Sequence, residues 1–434
     1  MEPKIIFPVE YLDSSHHNKS VKVQGVITKL SDPFKDDEYG YIQIIFIQNL
    51  DSNSPQIGFH RGKYIILQEN LIGKVGLGDM IQIKGTTGVY RIYNNKTEER
   101  VLLAESLKNI ENEDYINITE KEVKIFKNFA KDSQVQQKLA NLIFKNNYIE
   151  DDIKLIGTLM LFCTKSSELI EQKILCNMSL VILGSSGTLK TTFLNILQKI
   201  DPNRNVRFLH KSDNHFIKYM SRSKIGKNNY QEAGLADLSN GGIVIIDNFE
   251  VVKYYKVKEL DEDFKDILKE SSIIAALNCN NVIHNKLNPL FENLQFPRKA
   301  TLLDKFDLVY FMDCKSENDI QKIVDLNTKN NNLFENTPEL SLDLLRKYIR
   351  YAKAKYDPNF LEKGVKEEIS IFKMKILKLN ENKRKKINLN VIDRMIIILS
   401  KTYARIALKN EINVNDIQKI LRIYKKTLKN LDLI

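Results

Sequence analysis

Gly184-Ser-Ser-Gly-Thr-Leu-Lys-Thr191 sets two glycines, a lysine and a threonine hydroxyl between the apolar run Leu180–Leu183 and the amphipathic stretch Thr192–Leu197. A loop of that composition between a buried strand and a helix can cradle phosphate. Its glycines let backbone N–H groups turn inward, at the positive end of the helix that follows. Lys190 could reach the β- and γ-phosphates of a nucleotide, and the Thr191 hydroxyl could ligate Mg²⁺. The candidate nucleotide contacts are therefore Gly184, Ser185, Ser186, Gly187, Thr188, Leu189, Lys190, Thr191 and Thr192. The general pattern has glycine before the lysine, where this chain has Leu189. On the loop alone, a turn that merely happens to hold these residues remains an open alternative.

Two more apolar runs end in polar residues, and a further segment carries a charged candidate. Gly241-Gly-Ile-Val-Ile-Ile-Asp247 ends in a carboxylate that could complete a Mg²⁺ shell with Thr191. Ser272-Ile-Ile-Ala-Ala-Leu-Asn278 ends in an amide that could orient an attacking water, and Leu302-Leu-Asp-Lys-Phe-Asp-Leu308 carries Lys305. Polar strand ends in this order after a phosphate loop are the plan of an AAA+ ATPase.

The elements that must position these groups are legible in outline. The chain has 434 residues, enough for two to three domains, with 43% hydrophobic and 28% charged residues, as in an ordinary globular protein. No apolar segment reaches membrane-spanning length and the start Met1-Glu-Pro-Lys lacks a signal-peptide pattern, so the expectation is an intracellular protein, cytoplasmic or nucleoid-associated, with no membrane partner. Its four cysteines lie far apart, which argues against zinc and against a disulfide framework. A net charge of +11 favours a polyanionic partner, although Lys/Asn/Ile-heavy usage could also reflect an AT-rich genome.

Before residue 112 the sequence predicts short strands: Val21–Thr28, Tyr41–Ile47, Lys63–Leu67, Met80–Lys84 and, after a glycine-bearing turn, Tyr90–Tyr93. Five such strands suggest a small closed barrel of OB-fold type, with a β-sandwich as the alternative. Residues 113–326 read as linker helices and an α/β core, with Thr119 as the first helix N-cap. Residues 327–434 read as a helical lid. There Leu344, Leu345, Tyr348, Ile349 and Ala352 share one face, and Met395, Ile396, Leu399, Tyr403 and Ile406 another. The fold class expected is thus an α/β AAA+ P-loop core with a C-terminal helical lid, preceded by a small all-β OB-fold barrel.

In these motor motifs the chain resembles the minichromosome maintenance (MCM) replicative helicases. Gly184–Thr191 looks like that family's phosphate loop, which tolerates a non-glycine before the lysine. Glu232–Gly242 running into Asp247 resembles its Walker B approach, Ala275–Asn278 its sensor-one strand, and Leu302–Leu308 its arginine-finger segment. The resemblance implies an ATP-dependent DNA helicase or translocase in DNA replication, a ring that is usually a hexamer. It implies ATP and Mg²⁺ bound between subunits, and single-stranded or forked DNA as partner. It also implies a pore hairpin before the Walker B strand, here Lys218–Tyr230, whose Lys218, Arg222, Lys224 and Lys227 could grip a DNA backbone. A solvated charged hairpin is the plainer alternative for that segment.

Departures from the family pattern give a second reading. Where the family has a glutamate after the Walker B aspartate, this chain has Asn248, and Lys305 replaces the trans-acting arginine. The sensor-two arginine aligns with Val391, with Arg394 one turn away as the nearest candidate for contacting nucleotide. No second pore hairpin fits between Asp263 and the sensor-one strand. These features imply slow hydrolysis, or a weakened ATP-binding subunit with a structural or regulatory role beside a related MCM protein.

Overall fold

The structure, a computed structural model, describes residues 6–8, 18–48, 62–90, 99–110, 118–145, 147, 149–163, 177–202, 206–208, 224–225, 230–239, 241–248, 264, 267–269, 271–278, 306–312, 340–360, 363–381 and 389–430. They fall into two compact units. The first comprises Met1–Asn117, Asn203–Asn240 and Glu262–Ile267; the second comprises Ile118–Pro202, Gly241–Asp261 and Leu268–Ile434.

In the first unit, β1 (Ile6–Pro8) lies parallel to β2 (Ser20–Ser31), and β3 (Phe34–Asp36) turns back on β4 (Gly40–Gln48). With β5 (Gly62–Gln68), β6 (Met80–Tyr90) and β7 (Glu99–Asn109), strands β2 and β4 close a ring in the order β2-β6-β7-β5-β4 and back to β2. Every neighbouring pair in the ring is antiparallel except β5 and β7. Closure needs local coiling, and bulges at Ile27/Lys29 and Lys84/Gly85 supply it. Val23, Ile27, Ile45, Ile65, Ile81, Ile83 and Leu102 fill the interior.

Two expectations about this barrel change. Met80–Tyr90 is one strand rather than a strand and a turn; of the strand expected at Tyr90–Tyr93, only Tyr90 lies among the described residues. The glycine at 85 is required by packing, because a Cβ there would sit 2.2 Å from the Leu103 carbonyl oxygen on β7. The fifth strand is β7, which the sequence pattern did not reveal.

The same unit holds β9 (Val206–Phe208), the hairpin of β10 (Lys224–Ile225) and β11 (Tyr230–Glu232), and the short helix α5 (Leu235–Ser239). β11 pairs antiparallel with β2, setting Tyr230 opposite Ser31 and Glu232 opposite Lys29. Tyr230 packs with Ile42, Ile44, Ile66 and Val101 on the outer face of the barrel, where burial raises its phenol pKa to about 12. A side chain at Gly78, where φ is +81°, would strike the Asp237 carbonyl oxygen at 2.1 Å.

The second unit begins with α1 (Glu120–Phe129), α2 (Val135–Ile143) and α3 (Asp151–Leu161). Thr119 caps α1 as expected: its hydroxyl accepts from the Glu122 amide while the Glu122 carboxylate accepts from the Thr119 amide. β8 (Ser179–Gly184) leads through the phosphate loop into α4 (Lys190–Ile200), and β12 (Ile243–Ile246), β13 (Ser272–Asn278) and β14 (Leu308–Phe311) follow. The order β14-β8-β13-β12 is parallel throughout, and its strands are apolar runs because both faces are covered. Four helices complete the unit: α6 (Leu342–Lys355), α7 (Lys363–Asn380), α8 (Leu389–Ile406) and α9 (Val414–Asn430). Leu345, Tyr348, Ile349 and Ala352 of α6 are buried, as are Met395, Ile396, Leu399, Tyr403 and Ile406 of α8; Leu344 is half-buried. Among the described residues no helix is long and apolar enough to cross a membrane.

Candidate nucleotide site

The register of the parallel sheet brings the polar strand ends together. β8 and β13 align Gly184 with Asn278, and β12 and β13 align Ile246 with Ala275, so Gly184, Asp247 and Asn278 leave the sheet at one end. Open parallel sheets collect ligands at this carboxyl edge. The two loop glycines serve different ends. Gly184 is fixed by space, since a Cβ would lie 2.0 Å from the Met312 carbonyl oxygen beyond β14. Gly187 is fixed by conformation, with φ +84° and open space around it.

Leu189 also has a left-handed backbone, at φ +65°, which explains why glycine is general at this position. For a leucine that conformation costs about 1–2 kcal/mol. Its half-buried side chain packs against the core and offsets part of the cost.

Lys190 is buried at the start of α4. Its ammonium donates to the carbonyl oxygens of Gly184 at 2.9 Å and Ser185 at 2.6 Å, and to the Thr188 hydroxyl at 3.1 Å. The charge therefore sits inside the curl of the loop. Thr191 donates its hydroxyl to Asp247 Oδ1 at 3.4 Å. A hydroxyl and a carboxylate this close, beside a phosphate loop, are the oxygen donors a hard divalent cation takes. The residues present therefore fit a Mg²⁺–nucleotide complex.

The hydrolytic edge is built differently. Asn248 takes a left-handed backbone, φ +53°, which asparagine tolerates. Its amide N–H donates to Asp247 Oδ1 at 3.1 Å, and its side-chain oxygen accepts from Asn278 Nδ2 at 3.1 Å. Two amides thus face each other where a carboxylate and an amide were the family expectation. Neither has an oxygen basic enough to take a proton from water at neutral pH.

Arg394 is engaged within its own chain. It forks onto Asp307 at 2.5 and 3.2 Å and donates to the Asn177 carbonyl at 2.8 Å. Asp307 in turn accepts from the Ser179 amide and hydroxyl, both at 2.8 Å. The arginine expected to contact nucleotide instead ties α8 to the base of β8 and β14, away from the carboxyl edge. Thr192 is half-buried on the first turn of α4. Lys305, Lys218, Arg222 and Lys227 lie outside the described residues, as does the side chain of Lys224 in β10.

A set of cations that the sequence reading passed over braces the same elements from behind. On α6, Arg346 donates to the Lys199 carbonyl at 2.5 Å, Arg350 to the Pro202 carbonyl, and Lys353 to the Gly241 carbonyl at 3.2 Å. The first two acceptors close the C-terminal end of α4, and the third opens the run into β12. One lid helix thereby holds the far ends of the two elements that carry Lys190 and Asp247. Burial pushes the Lys353 ammonium below the ordinary lysine range, partly opposed by Asp201. The i, i+4, i+7 spacing of these cations was the available signal.

Among the described residues no group of three or more His, Cys, Asp or Glu side chains could hold a metal ion.

Comparison with known proteins agrees with this geometry. The family described as MCM P-loop domain matches residues 122–327, and the MCM AAA-lid domain matches residues 343–428. The minichromosome maintenance protein MCM of Saccharolobus solfataricus is 24% identical over 415 residues, 89% of this chain and 59% of that protein. DNA replication licensing factor mcm4 of Schizosaccharomyces pombe is 26% identical over 343 residues, 72% of this chain and 37% of that protein. DNA replication licensing factor mcm5 of Dictyostelium discoideum is 23% identical over 375 residues, covering 74% of this chain and 49% of its own. The chain thus spans from about a third to three fifths of the length of these relatives.

Proposed function

The chain belongs to the minichromosome maintenance family, and from that premise we propose that it is an ATP-dependent DNA motor. It acts as a ring, a hexamer of itself or an assembly with a related MCM subunit, and translocates on or unwinds DNA during replication inside the cell. The observation that carries this reading is the meeting of Thr191 and Asp247, 3.4 Å apart, beside a loop that curls around the Lys190 ammonium.

In that reading Lys190 exchanges its loop oxygens for the β- and γ-phosphates, while loop N–H groups from Gly184 to Leu189 bind phosphate oxygens. Thr191 and Asp247 would hold Mg²⁺, which would supply positive charge beside the phosphates. Asn278 orients the attacking water, and Lys305 of a neighbouring copy offers its charge to the γ-phosphate. Lysine keeps that charge but lacks the planar fork of arginine. The barrel is read as an OB-fold, which its five-strand closure with one parallel pair supports. The hairpin carrying Lys218, Arg222, Lys224 and Lys227 is read as the DNA grip.

The facing amides of Asn248 and Asn278 favour a second reading, a subunit that binds ATP and hydrolyses it poorly, serving structure or regulation. Steady-state ATPase with and without single-stranded DNA separates the two. The motor predicts DNA-stimulated turnover that Lys190→Ala abolishes. Tight ATP binding with no turnover in a folded sample would leave only the second reading, and absence of ATP binding would remove both.

A further inference from the structure

The positive charge of this chain is concentrated in one region. Residues 341–434 hold 23 lysines and arginines against 10 aspartates and glutamates, a net of +13; residues 1–340 hold 43 against 45, a net of −2. The whole excess of +11 therefore belongs to this C-terminal region.

Within that region α9 sorts its side chains sharply. Ile417, Ile420, Leu421, Tyr424 and Leu428 are buried in the core and hold the helix in place. Lys419, Arg422, Lys425 and Lys429 are exposed. At about 100° per residue they share a face roughly 120° wide. The exposed uncharged neighbours are Asn415 and Gln418. α9 itself contributes no exposed carboxylate: Asp416 is buried and paired with Lys409 at 2.8 Å. Lys426, which falls within the same arc, is half-buried and bound to Glu150 and Asp152. Glu368 of α7 also reaches this face and accepts from Gln418. Lys419 also lies 5.9 Å from the Tyr403 ring, a contact that leaves its charge intact. Among the described residues no carboxylate pairs with these four cations. A face evolved only for solubility mixes signs; here α9 itself contributes only cations, and the acids that reach the face from other elements are engaged by Lys426 and Gln418.

We propose that the exposed face of α9 binds the phosphate backbone of duplex nucleic acid, as a surface other than the nucleotide site. Ten residues separate Lys419 from Lys429, about 15 Å of helix, which matches about four phosphates of one strand at 3.4 Å each. The apolar side of α9 is committed to the core, so the helix cannot lie in a membrane surface. The choice of nucleic acid among polyanions rests on the DNA-acting reading above.

The test is anisotropy of a labelled 24-base-pair duplex of arbitrary sequence, titrated with the full chain across a range of KCl. Variant K419Q/R422Q/K425Q/K429Q is compared with K121Q/K124Q/K127Q/K131Q, which removes the same charge from exposed lysines at α1. The α9 variant should bind at least tenfold more weakly, with a log K against log salt slope shallower by about 3–4, near 0.9 per lost contact. The α1 variant should keep the parental slope. An unchanged slope in the α9 variant, or an equal loss in the α1 variant, overturns the proposal. So does displacement of duplex by polyglutamate as readily as by unlabelled duplex, which would mark an acidic protein partner. A changed oligomeric state with unchanged duplex binding would make the face a contact between copies and overturn it too. Binding of single strands without duplex would defeat this inference while leaving the motor reading intact.

Discussion

The proposed nucleotide site has two sides that differ in kind. On the cradle side the sequence departs from the general pattern at Leu189, yet the geometry survives. The backbone holds the left-handed conformation at φ +65°, Lys190 sits inside the loop, and Thr191 reaches Asp247. On the hydrolytic side the departures reach the chemistry itself. An amide replaces a base at Asn248, and Arg394 is held by Asp307. A cradle is made of backbone N–H groups and shape, which many side chains allow. Proton removal from water depends on one group of suitable basicity, and no rearrangement of amides provides it. Binding and turnover can therefore diverge separately in one site.

The contrast is sharpest at residue 248. Asn248→Glu should raise ATP turnover by about 10²–10⁴, the span a general base contributes, with ATP affinity little changed. A turnover rise under threefold would mean that some other feature limits the hydrolytic side.

Next in size is Arg394→Ala. Asp307 is buried, and removing one partner of a buried ion pair costs about 3–5 kcal/mol. Denaturant unfolding should show that loss at unchanged cooperativity. Loss of ATP affinity with stability preserved would instead return Arg394 to the nucleotide.

Leu189→Gly should do least. Relief of about 1–2 kcal/mol of backbone strain is offset by lost side-chain packing and by a freer unfolded chain. Stability should stay within about 1 kcal/mol of the parent, and binding of a fluorescent ATP analogue should be unaffected. A large gain in affinity would show that the leucine distorts the cradle.

Legibility in the sequence followed the range of the interactions. Thr119 was readable as an N-cap because the cap and its Glu122 partner lie three residues apart. The buried faces of α6 and α8 were readable from helical period, although Ile125 of α1, on a similar pattern, is 42% exposed. The barrel was harder. Gly85 and Gly88 within β6 read as a turn, and only the approach of the Leu103 carbonyl reveals why the strand needs a residue without a side chain. Strand β7 was missed because Val101-Leu-Leu-Ala104 gives no clean alternation. Its pairing spans both β6 and β5, which no local pattern encodes.

The sequence alone determined the family, the phosphate loop and the order of polar strand ends, since each is written in contiguous residues whose spacing is set by strand and helix geometry. Tertiary structure decided what those residues do to one another. It placed Asn278 against Asn248, gave Arg394 to Asp307, joined β11 to β2, and set Arg346, Arg350 and Lys353 behind α4 and β12. A guanidinium can satisfy its donors with any acceptor within reach, and only the folded chain determines which acceptor that is.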